Sequence, residues 1–414
     1  MNKRRVVITG MGCITSLAES VDKLFTALCD GKSGISNIEF FDASDYPVRI
    51  GGEVSGFNVT KYIDQRESKR MDRFTQFAVA AAGQAVADSG LDFSKEDLSR
   101  VGSIVGTGIG GLKEIEEQHL RLLYKSPSKV SPFCVPRLMA NAACGNIAIQ
   151  YGLRGPNFCV SSACASGNHA IGEAYFNIIS GRSDIIVTGG SEAALTPIGL
   201  ASFCAARSLS TRNDDPTAAS RPFDKDRDGF VLAEGAGMLI LEEESHAKKR
   251  GAKIYAELLG YGATDDGYHI TAPLPDGDGA AKTMNLALDE AGIEKENIEY
   301  INAHGTGTEL NDMAESAAIR TVFGSHAYNI PVSSTKSCLG HLLGASGAVE
   351  LLVCVKVINE SIIPPTINLE NPDERCDPKM DFVPLKARET KVNYALSNSL
   401  GFGGHNACLI VGKY

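Results

Sequence analysis

The residues best suited to chemistry in this 414-residue chain are one cysteine and two histidines, each set among small residues. Cys164 stands in Ser161-Ser162-Ala163-Cys164-Ala165-Ser166-Gly167, between an apolar run at Phe158 to Val160 and an amphipathic pattern at Ile171, Ala174 and Ile178. That order predicts a strand-to-helix turn, where unpaired backbone N–H groups and the helix dipole favour an anion. A thiol so placed is expected to have a lowered pKa and to act as a nucleophile. A buried structural cysteine fits the same pattern. His304 closes a predicted strand in Asn302-Ala303-His304-Gly305-Thr306-Gly307-Thr308. His341 follows Lys336-Ser337-Cys338-Leu339-Gly340 and is predicted to open a helix through Leu342, Ala345, Val349 and Leu352. Neutral imidazoles at such places can take a proton or donate to an oxyanion, although each could equally be a satisfied buried histidine. Cys338 is the rival nucleophile, but no strand ends at it. Lys336 and Glu350 are expected to pair beside this cluster, serving position rather than chemistry.

These residues need a scaffold of buried strands. Short β-branched runs recur at Val6 to Thr9, Val101 to Val105, Phe158 to Val160, Ile185 to Val187, Met238 to Leu241, Ile254 to Leu258, Tyr300 to Ala303, Ile330 to Ser333 and Ala407 to Val411. Several are apolar throughout, as strands covered on both faces are. Helical patterns such as Phe74 to Asp88 and Lys282 to Ala291 lie between them, which predicts an α/β fold. The order strand-plus-glycine, small-residue turn, glycine-plus-strand occurs twice, with a join near residue 250. The expected halves are 1–250, carrying the nucleophile, and 251–414, carrying both histidines. Gly106, Gly108 and Gly111 match a dinucleotide fingerprint, but the acidic residue expected beyond it is absent, so a tight turn is the better reading. Asp224 to Asp228 opens like a calcium loop and then fails at its twelfth position, Gly235.

Composition narrows the partners. Forty basic against fifty acidic residues give a net charge of −10, which argues against broad nucleic-acid or anionic-membrane binding. Eleven cysteines stand singly with no zinc-like spacing, so no metal is expected and a reducing, cytoplasmic location fits. Lys3-Arg4-Arg5 before Val6-Val7-Ile8 resembles a signal peptide only superficially; Gly10 and Gly12 break the apolar run, and a first strand ending in a glycine turn is expected. No apolar run approaches the roughly 18 residues of a membrane span.

Four ordered motifs then point to a family. Ser161 to Gly167, Asn302 to Thr308, Lys336 to Gly344 and Asn398 to Asn406 resemble the condensing enzymes of the thiolase superfamily, above all the elongating β-ketoacyl-[acyl-carrier-protein] synthases. Arg5 to Gly10, Arg221-Pro222-Phe223-Asp224 and Glu234 to Gly237 extend the similarity along nearly the whole chain. The resemblance implies a duplicated thiolase-like α-β-α-β-α fold, a homodimer and no cofactor. It makes Cys164 the acyl acceptor and gives His304 and His341 the decarboxylation of a malonyl donor. Lys336 would organise the pair with Glu350, and Phe402 would gate the site and supply an oxyanion N–H. Ile109 and Phe203 correspond to acyl-pocket positions, with Thr306 and Thr308 on the substrate side. Acyl carrier protein, itself acidic, is the implied partner. Arg66, Lys69, Arg70 and Arg73, which recur at helical spacing, would dock it together with Lys129 and Arg207. The Cys-His-His set departs from thiolases, which need a second cysteine, and from initiating synthases, which carry Asn for one His. A polyketide-type ketosynthase or a non-catalytic chain-length partner would be the alternative. Thr15-Ser16-Leu17 and His405 depart from the commoner family pattern.

Overall fold

The structure, a computed structural model, describes residues 4–414. Ten strands form its main sheet: β1 (Val6–Thr15), β2 (Val101–Gly106), β3 (Asn157–Val160), β4 (Ile185–Glu192), β5 (Gly235–Glu243), β6 (Ala256–Asp265), β7 (Tyr300–Asn302), β8 (Val332–Ser333), β9 (Tyr394–Gly401) and β10 (His405–Gly412). Their order across the sheet is β8-β7-β9-β10-β6-β1-β5-β4-β2-β3. The five strands up to residue 243 therefore lie on one side and the five from residue 256 on the other. They meet where Val6, Val7 and Ile8 of β1 pair antiparallel with Leu258, Glu257 and Ala256 of β6.

Helices complete five layers. Helix α1 (Arg73–Ser89) and α2 (Ala142–Tyr151) cover the outer face of the first five strands. Helices α4 (Asp278–Ala291) and α5 (Glu309–Phe323) lie on the outer side of the second five. Between the two sets run α3 (Ser166–Ile179) and α6 (Ser346–Glu360), packed on strands of both and on each other. Twelve of the fifteen residues of α6 are buried, which is why its sequence is apolar nearly all round. The fold is thus the α-β-α-β-α class that the residue pattern and the resemblance imply.

Two local expectations are corrected. Gly10 and Gly12 do not end the first strand; β1 runs through them to Thr15. A Cβ at either would stand 2.1 Å from a carbonyl of α1, Ala85 O or Ala81 O, so these glycines let helix and strand backbones touch. His341 does not open a helix. A short turn of helix, Lys336–Leu339, precedes it, and α6 begins five residues later at Ser346.

Candidate active site

The nucleophile turn is built from the end of β3 and the start of α3. Ala163 holds φ at 49°, a left-handed conformation unusual for a residue with a Cβ. Hydrogen bonds within the turn hold it there: Ser162 N–H donates to Ser166 Oγ at 2.9 Å, and Ser166 Oγ donates to Ala163 O at 2.6 Å. This geometry sets Cys164 two residues before α3, with its sulfur turned toward the second half of the molecule.

His304 leaves the end of β7, and His341 follows the short helix that starts at Lys336. The Cys164 sulfur and one ring nitrogen from each histidine lie within 4.8 Å of one another. Each imidazole is tied on its far side. Lys336 Nζ lies 3.3 Å from His304 Nδ1; an ammonium can only donate, so His304 presents a protonated Nε2 to the site. His341 Nδ1 is 2.9 Å from Ser346 Oγ, while its buried Nε2 has no partner. Burial, aided by the Lys336 charge, pushes both imidazoles well below the ordinary histidine range. Both are neutral, as the chemistry requires.

The cysteine expectation is corrected in one respect. Burial pushes the Cys164 thiol up to about 12, opposed by Lys336 and by the backbone N–H groups of Phe402 and Cys164 itself. The resting group is a thiol, because desolvation outweighs the favourable turn. Those two amides converge from different elements, the nucleophile turn and the β9–β10 loop, and form a ready oxyanion site. A Cβ on Gly401 would meet Cys164 N at 3.2 Å, which shows how closely this loop is seated.

The three reactive groups line a cavity of about 560 Å³ that Ile109, Phe203, Thr306, Thr308, Arg207 and Phe402 also border. Ile109 and Phe402 are partly exposed at 40% and 37%. The hydroxyls of Thr306 and Thr308 are 2.8 Å apart. Lys336 is buried and bonded to Glu350, also buried. Cys338 sits fully buried in a hydrophobic cluster and does not border the cavity. The proposed docking cations divide. Arg66, Lys69 and Arg70 are exposed around a four-residue helix, Gln65–Ser68, and Arg70 stacks over Phe133 at 5.5 Å. Arg73 begins α1 instead, bound to buried Glu234 at 2.6 Å and to Val54 O. They therefore share no single helical face, and Arg73 is structural. Lys129 is exposed on the turn Pro127–Lys129, and Arg207 is exposed at the cavity rim.

The family model described as the N-terminal domain of beta-ketoacyl synthases matches residues 3–247, and that of the C-terminal domain matches residues 255–370. This chain belongs to the beta-ketoacyl synthase family. It is 52% identical, over its whole length and 99% of the relative's, to 3-oxoacyl-[acyl-carrier-protein] synthase 2 of Synechocystis. The same-named protein of Vibrio harveyi is 49% identical over the same shares, and that of Staphylococcus aureus 46% over 99% of each chain. Among solved structures, a beta-ketoacyl synthase from Burkholderia phymatum superposes with a TM-score of 0.92 at 35% identity, covering 99% of this chain and all of that one. A type II polyketide ketosynthase assembly, solved with its acyl-carrier protein and a bound hexaketide, gives 0.93 at 35% over both full chains.

Three carboxylates that the motifs did not single out hold the site together. Glu315 on α5 accepts from the backbone N–H groups of His304 and Gly305, both at 2.8 Å, and burial lifts it to about 7. Asp312, one turn earlier, accepts from Phe223 N–H and pairs with buried Arg227. Glu192 at the end of β4 accepts from Gly108 N–H and Gly344 N–H, joining the rim of the cavity to the segment after His341. The spacing of Asp312 and Glu315 on one face of a helix just after the glycine-rich turn was the available signal. The calcium-like segment serves the same frame: Arg227 is bonded to Asp373 at 2.5 Å and to backbone carbonyls of Thr308 and Glu309.

Proposed function

We propose that this synthase lengthens an acyl chain held on an acyl carrier protein by decarboxylative condensation with a malonyl carrier thioester. The observation that carries the reading is one buried thiol facing two neutral imidazoles at the floor of a single cavity. Cys164 attacks the acyl thioester, its proton passing to an imidazole and then to the departing carrier thiol. The oxyanion meets the N–H groups of Cys164 and Phe402, each such donor being worth roughly 3 kcal/mol at the transition state. Malonyl thioester then takes the cavity, carbon dioxide leaves, and the enolate oxygen rests on His304 and His341. The enolate carbon attacks the acyl-cysteine, the C–S bond breaks, and Cys164 regains a proton from solvent. The product is a 3-oxoacyl chain two carbons longer. Lys336, paired with Glu350, keeps His304 in the donating tautomer, while Ile109, Phe203, Thr306 and Thr308 shape the substrate's path.

Acidic acyl carrier protein docks on exposed Arg66, Lys69, Arg70, Lys129 and Arg207; the carrier held by a solved structural relative supports this partner. Residues 1–250 supply the nucleophile and residues 251–414 the histidines. Two copies pair along the β3 edge, a reading supported by the free outer edge of this terminal strand and by exposed Phe158 on it. None of the helices among the described residues is long and apolar enough to cross a membrane. Mass spectrometry after incubation with acyl carrier thioesters of graded length tests the reading. An acyl group on Cys164, released two carbons longer on addition of malonyl carrier, is expected; an unmodified Cys164 overturns it.

A further inference from the structure

The two oxyanion donors come from elements far apart in the chain, so something must set their separation. Cys164 N–H belongs to the turn before α3, and Phe402 N–H to the loop that enters β10. Besides the close seating of Gly401, one side chain bridges them. His169, one turn into α3, lies with its Nδ1 2.6 Å from Ser162 Oγ, in the nucleophile turn. The other side of its ring faces the backbone of Asn406, in β10, and the ring meets that of His405 edge-on at 6.4 Å between centroids. A backbone carbonyl so placed favours the protonated ring. Burial nevertheless holds the imidazole at about 4, so it is neutral in use. A neutral ring has one donor and one acceptor. With its N–H turned toward Asn406, Nδ1 accepts the Ser162 hydroxyl proton. Asn406 is itself anchored: its amide donates to Asp266 Oδ1 at 2.7 Å, and Asp266 N–H donates to Gly404 O at 2.9 Å. A continuous run of contacts therefore links Ser162, His169, Asn406, Asp266 and Gly404, from the nucleophile turn to the loop that carries Phe402.

We infer that His169 is a positioning residue that fixes the distance between the Cys164 and Phe402 amides, and so the fit of the oxyanion formed as the acyl group is transferred. It touches no substrate. The inference rests on the proposed role of Cys164 as acyl acceptor.

The test separates a reaction that needs the oxyanion site from one that does not. Acyl transfer from an acyl carrier thioester forms an oxyanion; alkylation of the same sulfur by iodoacetamide does not. His169→Leu, which keeps an apolar side chain of comparable bulk, should slow acylation of Cys164 by about tenfold to a hundredfold, the scale of a small misplacement. The KM for the acyl carrier should stay within about twofold of the parent, and alkylation should fall far less than acylation, because the same amides favour the thiolate only in part. His169→Asn, whose side-chain oxygen can still accept from Ser162, should recover part of the loss. Ser162→Ala removes the first link with the ring in place and serves should His169→Leu fail to fold; it should slow acylation in the same selective way. Acylation of both variants at the parent rate overturns the assignment, as does a fall in which alkylation declines as far as acylation. If the parent protein itself takes no acyl group on Cys164, the proposed function fails first, which distinguishes the two failures.

Discussion

The two halves of the site are held by different physics. The nucleophile turn in the first half rests on hydrogen bonds alone: Ser166 bracing a left-handed Ala163, Ser162 on the neutral ring of His169. The histidine turns in the second half rest on buried charge, with Glu315 and Asp312 holding backbone amides and Lys336 and Glu350 paired beneath His304. The difference fits what each half does in the proposed reaction. Cys164 changes its bonding twice per cycle, and a fixed charge that suited one state would oppose the other. The imidazoles must be neutral when the malonyl thioester arrives, and burial beside the Lys336 cation favours this while keeping their geometry rigid.

Breaking each half should give distinct results. Cys164→Ala should lower condensation by roughly 10⁴-fold or more, since nothing replaces a covalent nucleophile. Malonyl decarboxylation should persist because the imidazole pair is intact; a carbon dioxide assay that falls as far as condensation would argue against the division of labour. Glu350→Ala strands a buried ammonium and should cost about 3–5 kcal/mol in urea unfolding, whereas joint replacement of Lys336 and Glu350 by Met should recover most of that stability while activity stays low. Equal stability of the single and double variants would mean the charges do not act as a pair.

The pH behaviour of the two halves should also diverge. With Cys164 raised to about 12, its thiolate fraction grows tenfold per pH unit below that value. Alkylation by iodoacetamide should therefore accelerate about a hundredfold between pH 7 and pH 9. A plateau inside that range would mean the turn outweighs burial after all. The imidazoles are lowered, and a lowered histidine loses its neutral form only as pH falls below its own reduced pKa. Decarboxylation should then hold nearly level from pH 7.5 to 5.5 instead of halving near 6.5. The smallest effect belongs to the surface. Lys69→Glu with Arg70→Glu should raise the KM for acyl carrier several-fold at low salt, with the penalty fading as salt screens it.

How far the amino-acid order alone reaches is clear from particular residues. Strand runs such as Ile185 to Val187 and Met238 to Leu241 were legible because they are buried on both faces and admit only apolar side chains. Strand β9 was not: its Ser397, Asn398 and Ser399 are buried yet polar, a choice that makes sense only beside Asn168 and Glu315, which the fold brings to it. Gly10 and Gly12 read as a turn because a glycine's local freedom is visible in sequence, whereas contact with α1 is not. Likewise Arg73 shares a helical spacing with Arg66 and Lys69, and only the break between the Gln65–Ser68 helix and α1 sends it to Glu234.

The local order of residues determined which groups could react and which turns would present them, since turn chemistry is a property of a few adjacent residues. Tertiary structure decided their state. The thiol's burial, the neutrality of both rings and the tautomer of His304 all depend on neighbours from distant parts of the chain, because desolvation and Coulomb energy are set by what surrounds a group in space.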